Sequence, residues 1–119
     1  MPAPYAKFLV ILLIFIGEAT AIFAETVAAK KYATVSLSFL PIFFKMLLLI
    51  ILASGFLVAG YMLGIRAFKN IWIVSVISIT SILIVEPILN FTIFSQLPTK
   101  GALVGLVLGI LGFLSAMFL

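Results

Sequence analysis

The residues Met46–Ile65 form a run of about 20 residues without a charged side chain. A helix of that length rises about 30 Å, which matches the thickness of the hydrocarbon core of a bilayer. Further apolar runs flank this one, and 66% of the 119 residues are hydrophobic whereas 8% are charged. A soluble domain of this size could not bury so much apolar surface. The sequence therefore predicts an integral membrane protein.

Charged and turn-forming residues divide the chain into four predicted transmembrane helices. We expect an all-α fold in which a single domain, residues 1–119, contains helices at about 7–29, 42–65, 71–94 and 99–119. Because the connections are short, the helices should form a compact four-helix bundle surrounded by membrane lipid. The first apolar run also resembles a signal peptide, but Glu18 beside the candidate cleavage site and the later spans favour a retained helix.

The composition excludes several kinds of chemistry. Because the chain has no cysteine and no histidine, it has no disulfide, no thiolate metal site and no histidine base. The few acidic residues offer no set of metal ligands, so we expect neither an enzyme nor a bound metal or cofactor. The net charge of +4 comes from seven Lys and Arg residues, most of them near predicted helix ends. That placement is typical of membrane-interface anchors and does not indicate a nucleic-acid partner.

All three acidic residues lie within apolar runs. Glu18 and Glu25 are seven residues apart in the first predicted helix, so they share one face and lie about 10.5 Å apart along its axis. Glu86 lies in the third predicted helix. A carboxylate at the centre of a bilayer costs about 2.5–3.5 kcal/mol, so it normally faces a cavity, a partner chain or a substrate path. The three acids are therefore candidates for binding a proton or a small-molecule substrate.

The third predicted helix carries a polar stripe. Ser75, Ser78, Glu86 and Asn90 fall within about 120° of its circumference. Their alignment predicts a lined cavity that includes Glu86. Pro87 follows the acid directly and removes a backbone donor, which favours a kink at this point. Such a kink fits either a gate or a static bend.

Small residues recur on three of the predicted helices. Gly17 begins a narrow stripe on the first helix, and Gly60 and Gly64 form a pair on the second. Such stripes allow close helix packing, which drives association in lipid. We expect the second-helix pair to pack within one chain. A subunit interface and internal packing both remain open for the fourth helix, whose glycines are Gly101, Gly105, Gly109 and Gly112.

Short motifs resemble the drug/metabolite transporter superfamily over nearly the whole chain. The segment Ala21–Glu25 (AIFAE) resembles the first-helix segment that carries the single essential glutamate of its small multidrug resistance branch. The segment Glu86–Leu89 (EPIL), with Gln96 and a glycine-rich last helix after it, resembles the larger EamA-type members. The resemblance implies a small proton-coupled transporter of a polar or cationic substrate. It further implies a homo-oligomer, an antiparallel dimer, in a bacterial or archaeal plasma membrane, with Glu25 as the coupling carboxylate.

Two departures from that branch bear on the substrate. Ser75 and Ser78 stand where the branch has a tyrosine and a tryptophan that face aromatic cations, and Glu18 is an additional acid. Hydroxylated helix faces suit a polar or sugar-bearing substrate better. A subunit of a polyprenyl-phosphate-sugar flippase, which needs a second small membrane subunit, and a structural subunit of a larger complex therefore remain alternatives. Depth alone favours Glu18 over Glu25 as the coupling residue, because Glu18 lies nearer the middle of the first helix.

The distribution of basic residues predicts weak or dual membrane topology, as in small multidrug transporters, and the antiparallel dimer that the resemblance implies is the expected assembly. With four helices, one side of the membrane carries three basic residues and the other carries four, which is too even for the positive-inside rule to fix an orientation. The first side has Lys7, Arg66 and Lys69, and the second has Lys30, Lys31, Lys45 and Lys100. Reporter fusions at both termini should therefore detect both orientations, whereas reporters confined to one side would contradict the prediction.

Overall fold

The computed structural model describes residues 3–34 and 39–119. Four helices account for almost all of these residues: α1 (Ala3–Thr34), α2 (Phe39–Phe68), α3 (Ile71–Phe94) and α4 (Lys100–Phe118). By length and composition, α1, α2 and α3 are apolar enough to cross a membrane, whereas the apolar part of α4, Lys100–Ala116, is shorter. The helical architecture and these three candidate spans are compatible with the predicted integral membrane protein.

The first two helices extend beyond the predicted spans 7–29 and 42–65. Pro41 does not delay the start of α2, because a proline in the first turn of a helix removes a donor that has no intrahelical acceptor. The predicted connection 30–40 is helical up to Thr34 and again from Phe39, and its residues 35–38 lie outside the described part of the chain.

Local capping explains where α3 and α4 begin. The side chain of Asn70 accepts a hydrogen bond from the backbone N–H of Trp72 at 2.9 Å, and Thr99 accepts one from the N–H of Ala102 at 3.1 Å. Asparagine and threonine are favoured at this position because their side chains satisfy a free amide of the first turn. The C-cap residue of α3, Ser95, has a left-handed backbone conformation with φ 56°.

α1 is the central helix, because it packs against both α2 and α3. One buried cluster joins all three helices: Val10 and Ile14 of α1 pack with Val74 of α3 and with partly buried residues of α2. A second cluster around Ala24, together with Ile42 and Met46, contains only residues of α1 and α2. The described core is therefore a three-helix unit.

Three glycines permit the close contacts of α1. A Cβ atom on Gly17 would lie 2.8 Å from the Leu57 side chain, and one on Gly60 would lie 2.7 Å from Cγ1 of Ile14. A Cβ atom on Gly64 would lie 3.1 Å from Cγ1 of Val10 on α1 and 2.9 Å from Val74 of α3. Gly60 and Gly64 thus pack within the chain, as expected for the second helix.

α4 joins this unit on one side only. Within the described residues it packs against α3 and against neither α1 nor α2, so the predicted compact four-helix bundle is not closed within one chain. A Cβ atom on Gly109 would lie 3.0 Å from Cδ2 of Leu83, whereas Gly101, Gly105 and Gly112 have no neighbouring atoms within 4 Å of such a position. The Cα atoms accordingly occupy a flat volume of 50 × 34 × 17 Å.

Basic residues mark the two ends of the helical unit. The Lys7 ammonium lies 5.5 Å from the centre of the Phe68 ring, which places the start of α1 beside the end of α2. At the opposite end, Lys30 Nζ donates a hydrogen bond to the carbonyl of Ile93 at 2.5 Å. α1 and α3 are therefore parallel, and we refer to the two ends as the Lys7 end and the Lys30 end.

We expect Gly60→Leu to destabilise the protein by about 1–3 kcal/mol or more, because the added side chain must displace Ile14 from the α1–α2 contact. Gly55→Leu is the matched control on the same helix: Gly55 is exposed, and a Cβ atom there meets nothing within 4 Å. Unfolding in mixed detergent micelles measures both variants. Equal stability of the two variants would contradict the close α1–α2 contact.

Candidate functional site

The central feature of the site is a hydrogen bond between α1 and α3. The hydroxyl of Ser78 donates to Oε1 of Glu18 at 2.5 Å. Ser78 is buried and Glu18 is half-buried. A serine that donates to a carboxylate makes a charge-assisted hydrogen bond, which is stronger than one between neutral groups. This contact ties α1 to α3 through one of the three acids of the chain.

Glu18 lies close to the middle of α1, which is a candidate membrane span. Lys7 and Lys30 are 23 residues apart, so α1 rises about 35 Å between them, slightly more than the hydrocarbon thickness. Glu18 is about 16 Å from the level of Lys7 and about 18 Å from that of Lys30 along the helix. A carboxylate is most costly at this depth, and the hydroxyl of Ser78 offsets part of that cost.

The other serines of α3 have different environments. The hydroxyl of Ser81 is buried but donates to the carbonyl of Ile77, in its own helix, at 2.9 Å. Ser75 is half-buried. Serines in membrane helices commonly bond back to their own backbone in this way. Ser78 differs from Ser81 because it donates to a side chain of another helix.

Glu25 lies in a different environment from Glu18. It is exposed and borders a shallow groove of about 220 Å³ between α1 and α2. Apart from its carboxylate the groove is apolar, with Phe43 and Met46 among its lining residues. The two acids share a face of α1, yet that face meets α3 at Glu18 and borders α2 at Glu25. Glu25 lies about 7.5 Å from the level of Lys30, within the apolar part of the helix.

Glu86 and Asn90 line a larger cavity between α3 and α4. Its volume is about 620 Å³, and its polar lining residues also include Gln96 and Thr99. Both Glu86 and Asn90 are exposed, and α3 continues as a helix through Pro87. The polar stripe predicted on α3 is thus divided: Glu86 and Asn90 face α4, while Ser78 contacts α1.

Lys30 has a structural contact that the sequence analysis did not predict. Besides donating to the carbonyl of Ile93, its ammonium lies 5.9 Å from the centre of the Phe94 ring. Carbonyl groups at the end of a helix lack intrahelical donors and carry partial negative charge, so they attract a cation. The basic residues near predicted helix ends were the available signal, but which carbonyl a lysine reaches depends on how the helices pack.

The predicted site residues therefore occupy three places rather than one. Glu18 meets Ser78 between α1 and α3, Glu25 lies on the α1–α2 groove, and Glu86 and Asn90 line the α3–α4 cavity. The subunit contact through the fourth-helix glycines stays a prediction. Comparison with known protein families, curated proteins and solved structures finds no match to this chain.

We expect Ser78→Ala to destabilise the protein by about 0.6–2 kcal/mol, because it removes the donor to Glu18 within the membrane. Ser81→Ala is the control, since Ser81 is also buried on α3 but donates to its own helix. That variant should change stability by a few tenths of a kcal/mol at most. Unfolding in mixed micelles compares them, and equal losses would show that the Glu18 contact adds no stability.

Proposed function

We propose that the chain is a proton-coupled transporter of the drug/metabolite type that moves a small polar or cationic substrate. The observation that carries the proposal is the Glu18–Ser78 hydrogen bond at mid-membrane depth. A proton-coupled carrier needs a carboxylate that takes up and releases a proton at a depth that both sides of the membrane reach in turn. Glu18 has this depth and a polar neighbour on a second helix.

The contact bears on which acid of α1 would couple protons if the chain works like a small multidrug transporter. Ser75 and Ser78 stand where the third helix of those proteins carries its substrate-facing aromatic residues. The first-helix carboxylate that reaches this part of α3 is Glu18, whereas Glu25 borders α2. We therefore propose Glu18 as the coupling carboxylate, although the sequence motif favours Glu25.

The exposure of Glu25 supports an assembly of more than one chain. Its carboxylate is exposed at a depth where the surrounding lipid offers no hydrogen-bond donor. A second chain placed over the α1–α2 groove would supply that donor, and the prediction from the basic residues makes the second chain an antiparallel copy. The proposal therefore includes a homodimer in the plasma membrane of a bacterium or archaeon.

A second candidate function follows from α4. Because it contacts only α3, it leaves one side of the chain open to a different partner. This favours a subunit of a hetero-oligomeric flippase for lipid-linked sugars, or of a larger membrane complex. The stoichiometry of the purified protein separates the candidates: a stable homodimer supports the transporter, and a monomer that associates only with a second gene product supports the flippase subunit.

We expect Glu18→Gln to abolish proton-driven transport while keeping the fold, because the amide oxygen still accepts a hydrogen bond from Ser78 but no longer exchanges a proton. Glu25→Gln should retain more activity, and Glu86→Gln should alter substrate preference. The measurement is substrate uptake by proteoliposomes across an imposed pH gradient.

Ser78→Ala is the matched variant for Glu18→Gln, because it removes the hydrogen bond and leaves the carboxylate in place. It should lower the rate of transport but keep its dependence on the pH gradient. Full activity of Glu18→Gln together with loss of activity in Glu25→Gln would transfer the coupling role to Glu25. Full proton-driven activity of both variants would refute carboxylate coupling on α1.

A further inference from the structure

The cavity between α3 and α4 has the size of a ligand site. Its volume of about 620 Å³ lies within the range of roughly 300–1,000 Å³ that is usual for small-molecule pockets. It is open along one side, because α4 has no second helix packed against it within the described residues. In a bilayer that open side faces the acyl chains, so a ligand can enter laterally from one leaflet.

The polarity of the cavity changes along the membrane normal. Asn90 lies about 6 Å from the end of α3 and Glu86 about 12 Å, whereas Ile82 lies about 18 Å from it. Gln96 belongs to the connection at that end, and Leu106 lines the deeper part from α4. The cavity is therefore polar toward the Lys30 end and apolar toward the middle of the membrane. An amphiphile in the same leaflet has the same orientation, with its polar head at the surface and its alkyl chain toward the middle.

The charge of the cavity selects a cation. Glu86 is acidic, and no Lys or Arg is among the described residues that line the cavity with it. Asn90 and Gln96 each add both hydrogen-bond donors and acceptors. The hydroxyl of Thr99 accepts from the N–H of Ala102 and keeps its O–H donor, so the neutral partners for a ligand are this hydroxyl and the two carboxamides.

The cation should carry N–H groups. A carboxylate makes charge-assisted hydrogen bonds with an ammonium N–H, and a quaternary ammonium has none to offer. Proteins bind quaternary ammonium on aromatic faces instead. Phe94 is the aromatic residue among the described lining residues, and the Lys30 ammonium already lies 5.9 Å from its ring centre. The cavity is therefore poorly suited to a quaternary ammonium.

We propose that the α3–α4 cavity binds a single-chain amphiphile with a hydroxylated primary ammonium head. The ammonium donates to Glu86, the hydroxyl bonds with Asn90 and Gln96, and the alkyl chain lies along Ile82 and Leu106. This inference deepens the proposed function, since it names the class of substrate and rests on the proposal that the chain transports one. Because ligand binding can be measured without a pH gradient, a failure of this substrate class can be distinguished from a failure of the transporter proposal.

The test is calorimetric titration of the protein in nanodiscs of phosphatidylcholine, with empty nanodiscs as the reference for partitioning. The probes are 2-aminododecan-1-ol, dodecylamine and dodecyltrimethylammonium. We expect the amino alcohol to bind about tenfold more tightly than the quaternary amphiphile, with dodecylamine between them, because a hydrogen-bonding site rejects a ligand that leaves its polar groups unpaired. Equal affinities for the three probes would overturn the proposal.

Substitutions of residues that line the cavity test whether the amphiphile binds there. Glu86→Gln should weaken amino-alcohol binding about tenfold, and Glu86→Asp should restore part of it because the carboxylate is kept. Gly105→Leu should block binding, since Gly105 lines the cavity and no atom lies within 4 Å of its Cβ position. Gly112→Leu is the matched control: Gly112 has the same free space but is not a lining residue. Circular dichroism and size-exclusion chromatography confirm that each variant folds.

The binding and transport measurements on these variants distinguish the proposed site from its alternatives. Unchanged binding in Glu86→Gln would overturn the site. Unchanged binding in Gly105→Leu with a loss of self-association would show that a helix of a second copy occupies the cavity, which also overturns it. Binding that persists when Glu18→Gln abolishes transport would support the site and the coupling role together. Proton-driven transport without amino-alcohol binding would keep the transporter and reject this substrate class.

Discussion

The close approach of α2 to α1 is the contact on which the rest of the described fold depends. In lipid there is no hydrophobic force between helices, so association relies on tight packing and on interhelical hydrogen bonds. Gly17 and Gly60 lie where a larger side chain would collide with Leu57 and Ile14 respectively. Because these glycines bring α2 close to α1, the cluster of Val10, Ile14 and Val74 can close around both helices. The position of α3 against α1 then determines which acid meets Ser78.

The three acids differ in whether a neighbouring side chain offsets the free-energy cost of placing a carboxylate in a membrane. Glu18 has a hydrogen-bond partner on α3, whereas Glu25 and Glu86 are exposed in grooves that contain no basic lining residue among those described. An exposed carboxylate within the apolar part of a helix is unfavourable unless a ligand or a second chain covers it. The same physical argument therefore underlies both proposals, a partner chain at the α1–α2 groove and a cationic ligand at the α3–α4 cavity.

The sequence predicted the helices well because long apolar runs leave few alternatives. The internal packing of Gly60 and Gly64 was predicted for a similar reason: two small residues one turn apart match the close approach of a neighbouring helix. The spans of α1 and α2 were predicted too short. Hydropathy detects the apolar part of a helix but not its continuation beyond the charged residues at its ends. Backbone hydrogen bonds extend α1 through Lys30 and Lys31 to Thr34.

The arrangement of the site was harder to predict from the sequence, because a helical wheel describes one helix and not its neighbours. Ser78 and Glu86 fall on one stripe of α3, yet the neighbour of that stripe changes from α1 to α4 along the helix. Likewise, Glu18 and Glu25 share a face of α1 and still meet different helices. Where adjacent helices diverge, residues on one stripe need not line one cavity, and only the packing shows which residues meet.

Lys30 connects the two parts of the molecule on which the proposed transport function rests. It extends from the same helix as Glu18 and holds the last turn of α3 through the carbonyl of Ile93, next to Phe94 at the mouth of the α3–α4 cavity. α1 thus contacts α3 at mid-membrane through Glu18 and again near the interface through Lys30. A change at Glu18 that shifts α3 relative to α1 must also move the wall of the cavity, since α3 carries both Ser78 and Glu86. In the proposed transporter, this shared helix provides a physical route by which proton exchange at Glu18 can change substrate access at the cavity.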